Sequence, residues 1–468
     1  MIPMTLAEIA AVVGGEVHGD ADALVTAPAF VDSRSPHPGG LFLAFEGARV
    51  DGHDYADAAV AAGAVAVMGT RPVGHPTVVV PDPLAAVSAL ARHVLAQLPE
   101  VRVVALTGSQ GKTSTKDLLA QVLGAAGTTV ATAGSFNNEL GLPLTVLRAD
   151  AETEFLVLEM GARGIGHLAD LCEVAPPDVA LVLNVGKAHI GEFGSQEAIA
   201  QAKGEIVDAL PVDGVAVLNA DDPLVAPMAS RTKARSVTFG ESAGSDVRLE
   251  HLELDELGRP RFDLVHEVHS AHVELALVGE HQAHNAAAAA AVGLAVGIPL
   301  DEIASALGQA RASLWRMEVH ERSDGVTVIN DAYNANPDSM RAALKSLAAV
   351  GRGRGPGTRT IAVLGEMREL GDSSRDEHDA IGRLAVRLDI SQLVVVGEPA
   401  RPMHLGACLE GSWADESVFV ADNDEALAWL RAHVSPGDVV LFKASRAAAL
   451  ETVAEALLAD DESKETIG

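Results

Sequence analysis

Cysteine and aromatic side chains are scarce in this chain. It has 468 residues but only two cysteines, Cys172 and Cys408, which lie far apart without the spacing of metal ligands. This pattern predicts free thiols in a reducing compartment rather than a disulfide framework. Aromatic residues make up 3% of the chain and hydrophobic residues 48%, so we expect buried cores built largely from alanine and valine.

Basic residues are also few. The chain has 34 lysines and arginines against 65 acidic residues, which gives a formal net charge of −31. This imbalance argues against nucleic acid or an anionic membrane surface as a partner. A small phosphate-bearing substrate is still compatible with it, because salt screens distant charges and a local group of cations then dominates.

Hydrophobic runs of membrane-spanning length are missing as well. The alanine-rich stretch Ala283–Val296 is too short to cross a membrane and predicts a helix of a water-soluble protein. The opening residues, MIPMTLAEIA, have no basic stretch before an apolar core, so we expect no signal peptide. The sequence therefore predicts a cytoplasmic protein without membrane insertion.

The most informative motif that is present is TGSQGKTS, Thr107–Ser114, directly after the apolar run Val101–Leu106. A strand, a glycine-containing loop and Lys-Thr at the start of a helix form a phosphate cradle. Backbone amides point at the phosphates, Lys112 supplies a charge, and the hydroxyl of Thr113 is available to Mg²⁺. The general phosphate loop has a glycine where this chain has Leu106, so the loop is of a shorter type.

The pattern of strands and helices predicts an α/β protein with three domains, at residues 1–100, 101–313 and 314–468. The first is a small α/β unit, the second a parallel sheet with an antiparallel edge at Asp246–Val278, and the third a doubly wound domain. The predicted strands include Val101–Leu106, Phe155–Glu159, Val179–Asn184, Val215–Asn219, Val326–Asn330, Thr360–Leu364 and Val439–Phe442, and the last predicted helix is Ala447–Leu458.

Polar side chains follow the strands of the predicted central sheet. Glu159 ends its strand, and ligands gather at the carboxyl ends of parallel strands, so this carboxylate is predicted to hold Mg²⁺. His189 follows the next strand, although a lone histidine is more often a surface residue. The ammonium of Lys203 would repel Mg²⁺. The side chain becomes an oxygen ligand only as a carbamate, a modification that no sequence reveals.

For each of three further residues, the sequence leaves two alternative roles. The amide of Asn285 can bind a purine edge or simply belong to a helix start. Arg316 can reach the nucleotide phosphates from the third domain or form a salt bridge in the linker. Asp331, at a strand end, can bind ribose hydroxyls or cap a helix. In the first domain, Ser33 and Arg34 can hold a diphosphate, but they are weak signals in isolation.

Taken together, TGSQGKT, LEMGA, NVGKAHIGEFGS, KGE, GEHQAHN, WRME and NDAYNANPDSM resemble the Mur ligase family across nearly the whole chain. DSR with LFLAFEGARVDGHDY, SFNNELGLPLTVL and YNANPDSM resemble the branch that joins D-alanyl-D-alanine to UDP-N-acetylmuramoyl-tripeptide. The resemblance implies a monomeric, ATP-dependent ligase of cytoplasmic peptidoglycan synthesis with two Mg²⁺ ions. Gln282 and Ala444 depart from residues that are frequent in relatives.

The resemblance also implies roles for matching positions. Residues implied to bind ATP are Thr107, Gly108, Ser109, Gln110, Gly111, Lys112, Thr113 and Ser114, with Asn285 at adenine, Arg316 at the γ-phosphate and Asp331 at ribose. Those implied to hold the two Mg²⁺ ions are Thr113, Glu159, His189 and carbamylated Lys203. Those implied to contact the other substrates are Ser33, Arg34, Asn137, Asn138, Tyr333, Asn334 and Asn336. Lys112, His189, Lys203 and Arg316 are implied to be catalytic.

The expected chemistry is the formation of an acyl phosphate, which the amine of the dipeptide then attacks. No protein nucleophile is required, in agreement with the lack of a Ser/His/Asp or Cys/His pattern. Two alternatives are a ligase of the same family with another acceptor, such as a folate, and a nucleotide-dependent switch without catalysis. The first domain argues against a folate, and the lack of an NKxD motif argues against a guanine-reading switch.

Overall fold

A computed structural model describes residues 1–47, 50–186, 190–312, 314–411 and 416–465. The first hundred residues form a four-stranded sheet of order β2-β6-β5-β4 and a two-stranded sheet of β1 and β3. Their elements are β1 (Met4–Thr5), α1 (Leu6–Val13), β2 (Glu16–His18), β3 (Leu24–Val25), β4 (Leu41–Leu43), α2 (Ala56–Ala61), β5 (Ala66–Gly69), β6 (Thr77–Val79) and α3 (Pro83–Ala96).

The middle of the chain forms a nine-stranded sheet of order β15-β14-β13-β12-β11-β10-β7-β9-β8. Strands from β8 to β13 in this order run parallel, and β14 and β15 add an antiparallel edge, as predicted. The elements are β7 (Arg102–Thr107), α4 (Lys112–Gly124), β8 (Thr129–Ala131), α5 (Gly141–Val146), β9 (Phe155–Glu159), α6 (His167–Val174), β10 (Val179–Val182), α7 (Ile190–Phe193), α8 (Gln196–Asp208), β11 (Val215–Asn219), β12 (Arg235–Gly240), β13 (Val247–Leu254), β14 (Pro260–His266), β15 (His269–Glu274), α9 (His281–Ala295) and α10 (Leu300–Gly308).

The last part of the chain forms a six-stranded sheet of order β16-β17-β21-β18-β19-β20, parallel except for β16. The elements are β16 (Glu318–Glu321), β17 (Thr327–Asn330), α11 (Pro337–Gly353), β18 (Thr360–Leu364), α12 (Ser374–Arg387), β19 (Gln392–Val396), α13 (Arg401–Glu410), β20 (Ser417–Val420), α14 (Asn423–His433), β21 (Val439–Lys443) and α15 (Glu451–Glu465). The predicted α/β class is confirmed, while the domain boundaries at 100/101 and 313/314 stay a prediction.

The alanine-rich helix α9 is buried along most of its length. Its alanines 286–291 have no exposed surface, and the helix packs against α4 and the central sheet. Small side chains allow this close approach, which places the start of α9 beside the loop before α4. Among the described residues, no helix is long and apolar enough to cross a membrane.

Two predicted boundaries are wrong for identifiable reasons. The strand predicted at Val179–Asn184 ends at Val182, because Asn184 turns its side chain to the backbone of the phosphate loop. The helix predicted at Ala447–Leu458 begins at Glu451, since Ala449 has a left-handed backbone with φ of 50°. A residue in that conformation cannot continue an α-helix.

The first hundred residues and the central sheet share one hydrophobic core. Side chains of α3, such as Val87, Leu90 and Val94, belong to the same buried cluster as Val146 and Leu171 of the central part. Contacts of α3 with α5 and α6 join the two parts. The third sheet instead has two buried clusters of its own, one on each face.

Candidate active site

A cavity of about 990 Å³ lies at the carboxyl ends of the central strands and meets the first turn after β17. Most residues of the sequence prediction line it. These are Ser109, Gln110, Gly111, Lys112, Thr113, Ser114, Asn137, Asn138, Glu159, Lys203, Asn285, Arg316, Asp331, Tyr333, Asn334 and Asn336. Thr107 is the last residue of β7, Gly108 is the first residue of the loop that follows, and His189 is outside the described residues.

The loop between β7 and α4 has the backbone of a phosphate cradle. Gly111 has φ of 79° and precedes the first residue of α4, a conformation that favours glycine. The side-chain oxygen of Asn184 accepts hydrogen bonds from the backbone N–H groups of Ser109 and Gln110, each at 3.0 Å. Lys112 donates from Nζ to the carbonyl of Gly108 at 2.8 Å, so its charge lies inside the loop.

Glu159 is a buried carboxylate with spare bonding capacity. Only 1% of the residue is exposed. Its Oε1 accepts a hydrogen bond from Nδ2 of Asn137 at 2.7 Å, whereas its Oε2 has no hydrogen-bond partner among the described residues. A buried carboxylate oxygen without a partner is costly. The cavity therefore contains a free anionic oxygen suited to a hard cation.

Lys203 and Lys112 are two cations at the same cavity. Within the described part of the chain, Nζ of Lys203 has no hydrogen bond or ion pair, although the residue is only 5% exposed. Burial, and then the charge of Lys112, lower the pKa of Lys203 well below its ordinary value. Burial and the charge of Arg316 also lower the pKa of Lys112, against the opposing effect of Glu159. Burial and the nearby charge of Lys112 therefore both disfavour the charged form of Lys203.

Arg316 reaches the phosphate loop from the segment that precedes β16. Its Nη2 donates to the hydroxyl of Thr113 at 2.9 Å, and its guanidinium lies 4.2 Å from the ring centroid of Tyr333. The hydroxyl of Tyr333 in turn shares a hydrogen bond with the hydroxyl of Ser135. These contacts connect the last part of the chain to the central sheet at the cavity.

Asp331 is already partnered at the end of β17. Its Oδ2 accepts a hydrogen bond from Nζ of Lys443 at 2.6 Å, and its Oδ1 accepts one from the N–H of Met317 at 3.2 Å. Lys443, at the end of β21, is 3% exposed. His281 lines the same side of the cavity, and burial lowers its pKa to about 4, so its ring is neutral at pH 7.

The other amide side chains fall into two groups. Asn285 faces the phosphate loop, since a Cβ added to Gly111 would meet its Oδ1 at 2.6 Å, and its Nδ2 donates to Gln282. Asn138 and Asn336 line the cavity but also accept backbone hydrogen bonds, from Gly141 at 2.9 Å and from Ser339 at 2.9 Å. Asn336 is the N-cap of α11, a role that asparagine often has.

Ser33 and Arg34 do not line the central cavity. The guanidinium of Arg34 is paired with Asp32 at 2.8 Å, and its side chain is 88% exposed. Asp32 also accepts a hydrogen bond from the backbone N–H of Arg34, and these contacts lower the pKa of Asp32 to about 2. The structure thus brings together the predicted site residues from the central and last parts of the chain. The turn that contains Ser33 and Arg34 does not belong to this cavity.

Sequence reasoning missed several polar residues of the cavity, among them Asn184, His281 and Lys443. Asn184 follows the carboxyl end of β10 and Lys443 is the last residue of β21, and these positions were the available signal. His281 lies four residues before Asn285, at the start of α9. Their roles depend on contacts across the fold, because Lys443 meets Asp331 only after β21 pairs with β17.

The fold and the cavity define an enzyme of the phosphate-loop class, in which an arginine from a following sheet reaches the loop. The chain belongs to the Mur ligase family. The profile of the Mur ligase family, catalytic domain, matches residues 30–98. The profile of the Mur ligase middle domain matches residues 106–293, and that of the Mur ligase, glutamate ligase domain, matches residues 315–446.

Individual relatives show which members of the family the chain resembles. The chain is 52% identical to UDP-N-acetylmuramoyl-tripeptide–D-alanyl-D-alanine ligase of Mycobacterium tuberculosis, over 98% of this chain and 99% of that protein. The structure of MurF from Acinetobacter baumannii is 33% identical, with a TM-score of 0.86 over 98% of this chain and 99% of the other. MurF ligase from Thermotoga maritima, in complex with ADP, is 31% identical with a TM-score of 0.78, over 94% and 99% of the two chains.

Proposed function

We propose that this chain joins D-alanyl-D-alanine to UDP-N-acetylmuramoyl-tripeptide at the expense of ATP, in peptidoglycan precursor synthesis. The observation that carries the proposal is the convergence of Lys112, the free carboxylate oxygen of Glu159 and Arg316 on one cavity. The relatives named for this reaction match nearly the full chain. The reaction class is an ATP-dependent acid–amino-acid ligase.

The chemistry requires a carboxylate to approach a phosphate of the same charge. Lys112 and Arg316 offset that repulsion and align the γ-phosphate of ATP with the tripeptide carboxylate. Phosphoryl transfer gives an acyl phosphate and ADP. The free amine of D-alanyl-D-alanine then attacks the acyl carbon, and phosphate leaves as the amide bond forms.

The residues present fit magnesium. Glu159 offers an unpartnered carboxylate oxygen, Thr113 offers a hydroxyl, and oxygen ligands are those that Mg²⁺ prefers. We assign Thr113 and Glu159 to a first ion, and His189 and Lys203 to a second. Bound Mg²⁺ would neutralise phosphate charge. The role of His189 rests on the family resemblance, because it lies outside the described residues.

Carbamylation of Lys203 is part of the proposal. A buried lysine without an anionic partner, near Lys112, is better accommodated as a neutral amine, and a neutral amine adds CO₂ with loss of a proton. The product is an anionic oxygen donor. This change would turn an unfavourable cation at the metal site into a ligand.

We assign the remaining residues by their positions around the cavity. Asn285 would contact adenine and Asp331 the ribose. The phosphates would lie at residues 107–114, facing the backbone N–H groups of residues 111–114, because those of Ser109 and Gln110 donate to Asn184. The peptide substrates would lie along Asn137, Asn138, Tyr333, Asn334 and Asn336, and Ser33 and Arg34 would bind the uridine diphosphate part. We further propose domains at 1–100, 101–313 and 314–468, and a cytoplasmic monomer.

The decisive experiment measures phosphate release from ATP by the purified protein. Phosphate should appear only when UDP-N-acetylmuramoyl-tripeptide and D-alanyl-D-alanine are both present, together with Mg²⁺. Release with a folate and glutamate would instead identify a different acceptor. Tight nucleotide binding without turnover under any of these conditions would indicate a switch rather than a ligase.

A further inference from the structure

Lys116 is a buried lysine of helix α4, one turn after the half-buried Lys112. Only 4% of the residue is exposed. Its Nζ donates to the carbonyl of Thr132 at 2.8 Å and to that of Gly134 at 3.4 Å, and it pairs with Asp117 at 2.7 Å. A buried ammonium needs such partners, because its desolvation is otherwise too costly. Both carbonyls belong to one segment, residues 132–140, which we call the substrate loop.

The substrate loop carries residues that face the cavity. Ser135 bonds to Tyr333, and Asn137 donates to Glu159. Thr132, whose carbonyl accepts from Lys116, also accepts the backbone N–H of Glu159 on its hydroxyl at 3.0 Å. The position of the loop is therefore coupled to the position of the carboxylate at the proposed metal site.

The middle of the substrate loop has little other support from neighbouring backbone. The N–H of Thr132 bonds to Val157 at 3.0 Å, and the carbonyl of Asn137 accepts from Gly161 at 2.9 Å. Between these anchors, Phe136 bonds back to Ala133, which is a turn within the loop itself. Lys116 supplies an anchor at Gly134, where φ is 52°. Glycine adopts this backbone without strain, so the bonds from Lys116 to Thr132 and Gly134 tie the turn to α4 rather than hold a strained shape.

The geometry points to Lys116 as a positioning residue for the peptide-bearing substrate, acting through the substrate loop. It belongs to the same helix as Lys112 and Thr113, so the helix that holds the phosphates also sets the loop that holds the peptide. The identity of the affected substrate rests on the proposed function. The coupling itself does not, since it follows from hydrogen bonds within the chain.

The first test replaces Lys116 by methionine, which keeps length and apolar volume but removes the donors. Lys116→Met should raise the KM for UDP-N-acetylmuramoyl-tripeptide about tenfold or more, because a charge-assisted anchor is lost. The Kd for ATP should stay within about twofold, since the bonds of Lys112 and Asn184 are intact. The matched control is Lys345→Met, on the exposed face of α11, with both constants unchanged. An equal loss of ATP binding, or an unchanged KM, would overturn the inference.

A double mutant distinguishes an effect that Lys116 exerts through the substrate loop from a general loss of structure. If Lys116 acts through Asn137, then Lys116→Met adds little to the defect of Asn137→Ala, whereas independent effects would multiply. Multiplied effects would contradict the inference.

Hydrogen exchange gives a readout that needs no activity. In Lys116→Gln, a milder change that serves if the methionine variant fails to fold, amides 132–140 should exchange faster while amides 108–111 keep their protection. If wild-type protein made no product but this pattern held, the proposed function would fail and the positioning role would stand. Unchanged exchange in the loop of the folded variant would refute the positioning role.

Discussion

Two polar clusters of this protein, each built around one buried side chain, differ in the bonding of that side chain. In the first hundred residues, Glu46, Asp51 and His53 bring ligand atoms within 4.8 Å of one another, close enough for a metal. Yet His53 bonds through Nδ1 to Asp51 at 2.6 Å and accepts the N–H of Thr70 on Nε2 at 2.9 Å. At Glu159, by contrast, one buried oxygen has no partner in the described chain. Glu451 also has a buried oxygen without a partner in the described chain, but it does not line the cavity. The functional site is therefore marked by an unpartnered carboxylate oxygen that lies in a cavity with Lys112 and Arg316, and not by proximity of ligand atoms alone.

The largest expected effect is at Glu159. Glu159→Gln should lower acceptor-dependent phosphate release by at least about 100-fold, because a metal-binding charge worth several kcal/mol is lost. Its free energy of unfolding should be unchanged or higher, since a buried orphan charge is removed. Denaturant titration and the phosphate assay measure the two quantities. If Glu159→Gln were less stable than the wild-type protein but equally active, Glu159 would be a structural residue and not a functional one.

Lys203 should behave like Glu159, as a residue of the proposed metal site. Lys203→Ala is expected to lose most activity, and short carboxylic acids should restore part of it by supplying the missing anionic oxygen. Lys112→Ala is the control, because its defect is a missing cation that a carboxylate cannot replace. Full activity in the Lys203 variant, or equal rescue of both variants, would argue against the carbamate.

The His53 cluster should respond in the opposite way. His53→Ala should lower the free energy of unfolding by about 2–4 kcal/mol, because the buried ring leaves a cavity and unpaired partners. Activity per folded molecule should be retained. His75→Ala, which breaks an exposed pair with Asp57, should cost at most about 1 kcal/mol. Loss of activity in the folded His53 variant, restored by added divalent metal, would make the cluster a metal site after all.

The smallest effect concerns pH. Hydrogen bonds from His53 and then Arg71 lower the pKa of Asp51 to about 2. Because the folded pKa lies below the unfolded value of about 3.9, the contribution of Asp51 to stability is complete above that value and is lost as the pH falls towards about 2. Asp51→Asn should therefore flatten the acid side of the stability curve. If the urea midpoint of unfolding changed with pH in the same way in the wild-type protein and the variant, this prediction would be contradicted.

The sequence predicted much of the fold because its signals were local. The buried apolar residues of β7 and β9 and the Gly-Lys-Thr start of α4 lie within a few residues of one another, and these elements were found where expected. Strand β12 was missed, since its polar residues Arg235, Ser236 and Thr238 leave no continuous apolar run. The family assignment, which rested on several motifs in order, is confirmed.

The site was predictable only in part. Glu159 and Arg316 were named from strand ends and motifs, and the structure brings them to one cavity. The partnership of Asp331 with Lys443 joins residues that are 112 positions apart. Such a pair follows from sheet order, and no local pattern contains it. Whether Ser33 and Arg34 bind a diphosphate stays a prediction, since their turn lies away from the cavity.

The hydrophobic core shared by α3 and the central helices has a practical consequence. A truncated protein that starts after the first hundred residues would expose the apolar faces of α5 and α6 to water, because α3 is what covers them. Such a fragment should aggregate rather than serve as a minimal nucleotide-binding unit. The opening segment thus stabilises its neighbour by covering this apolar surface.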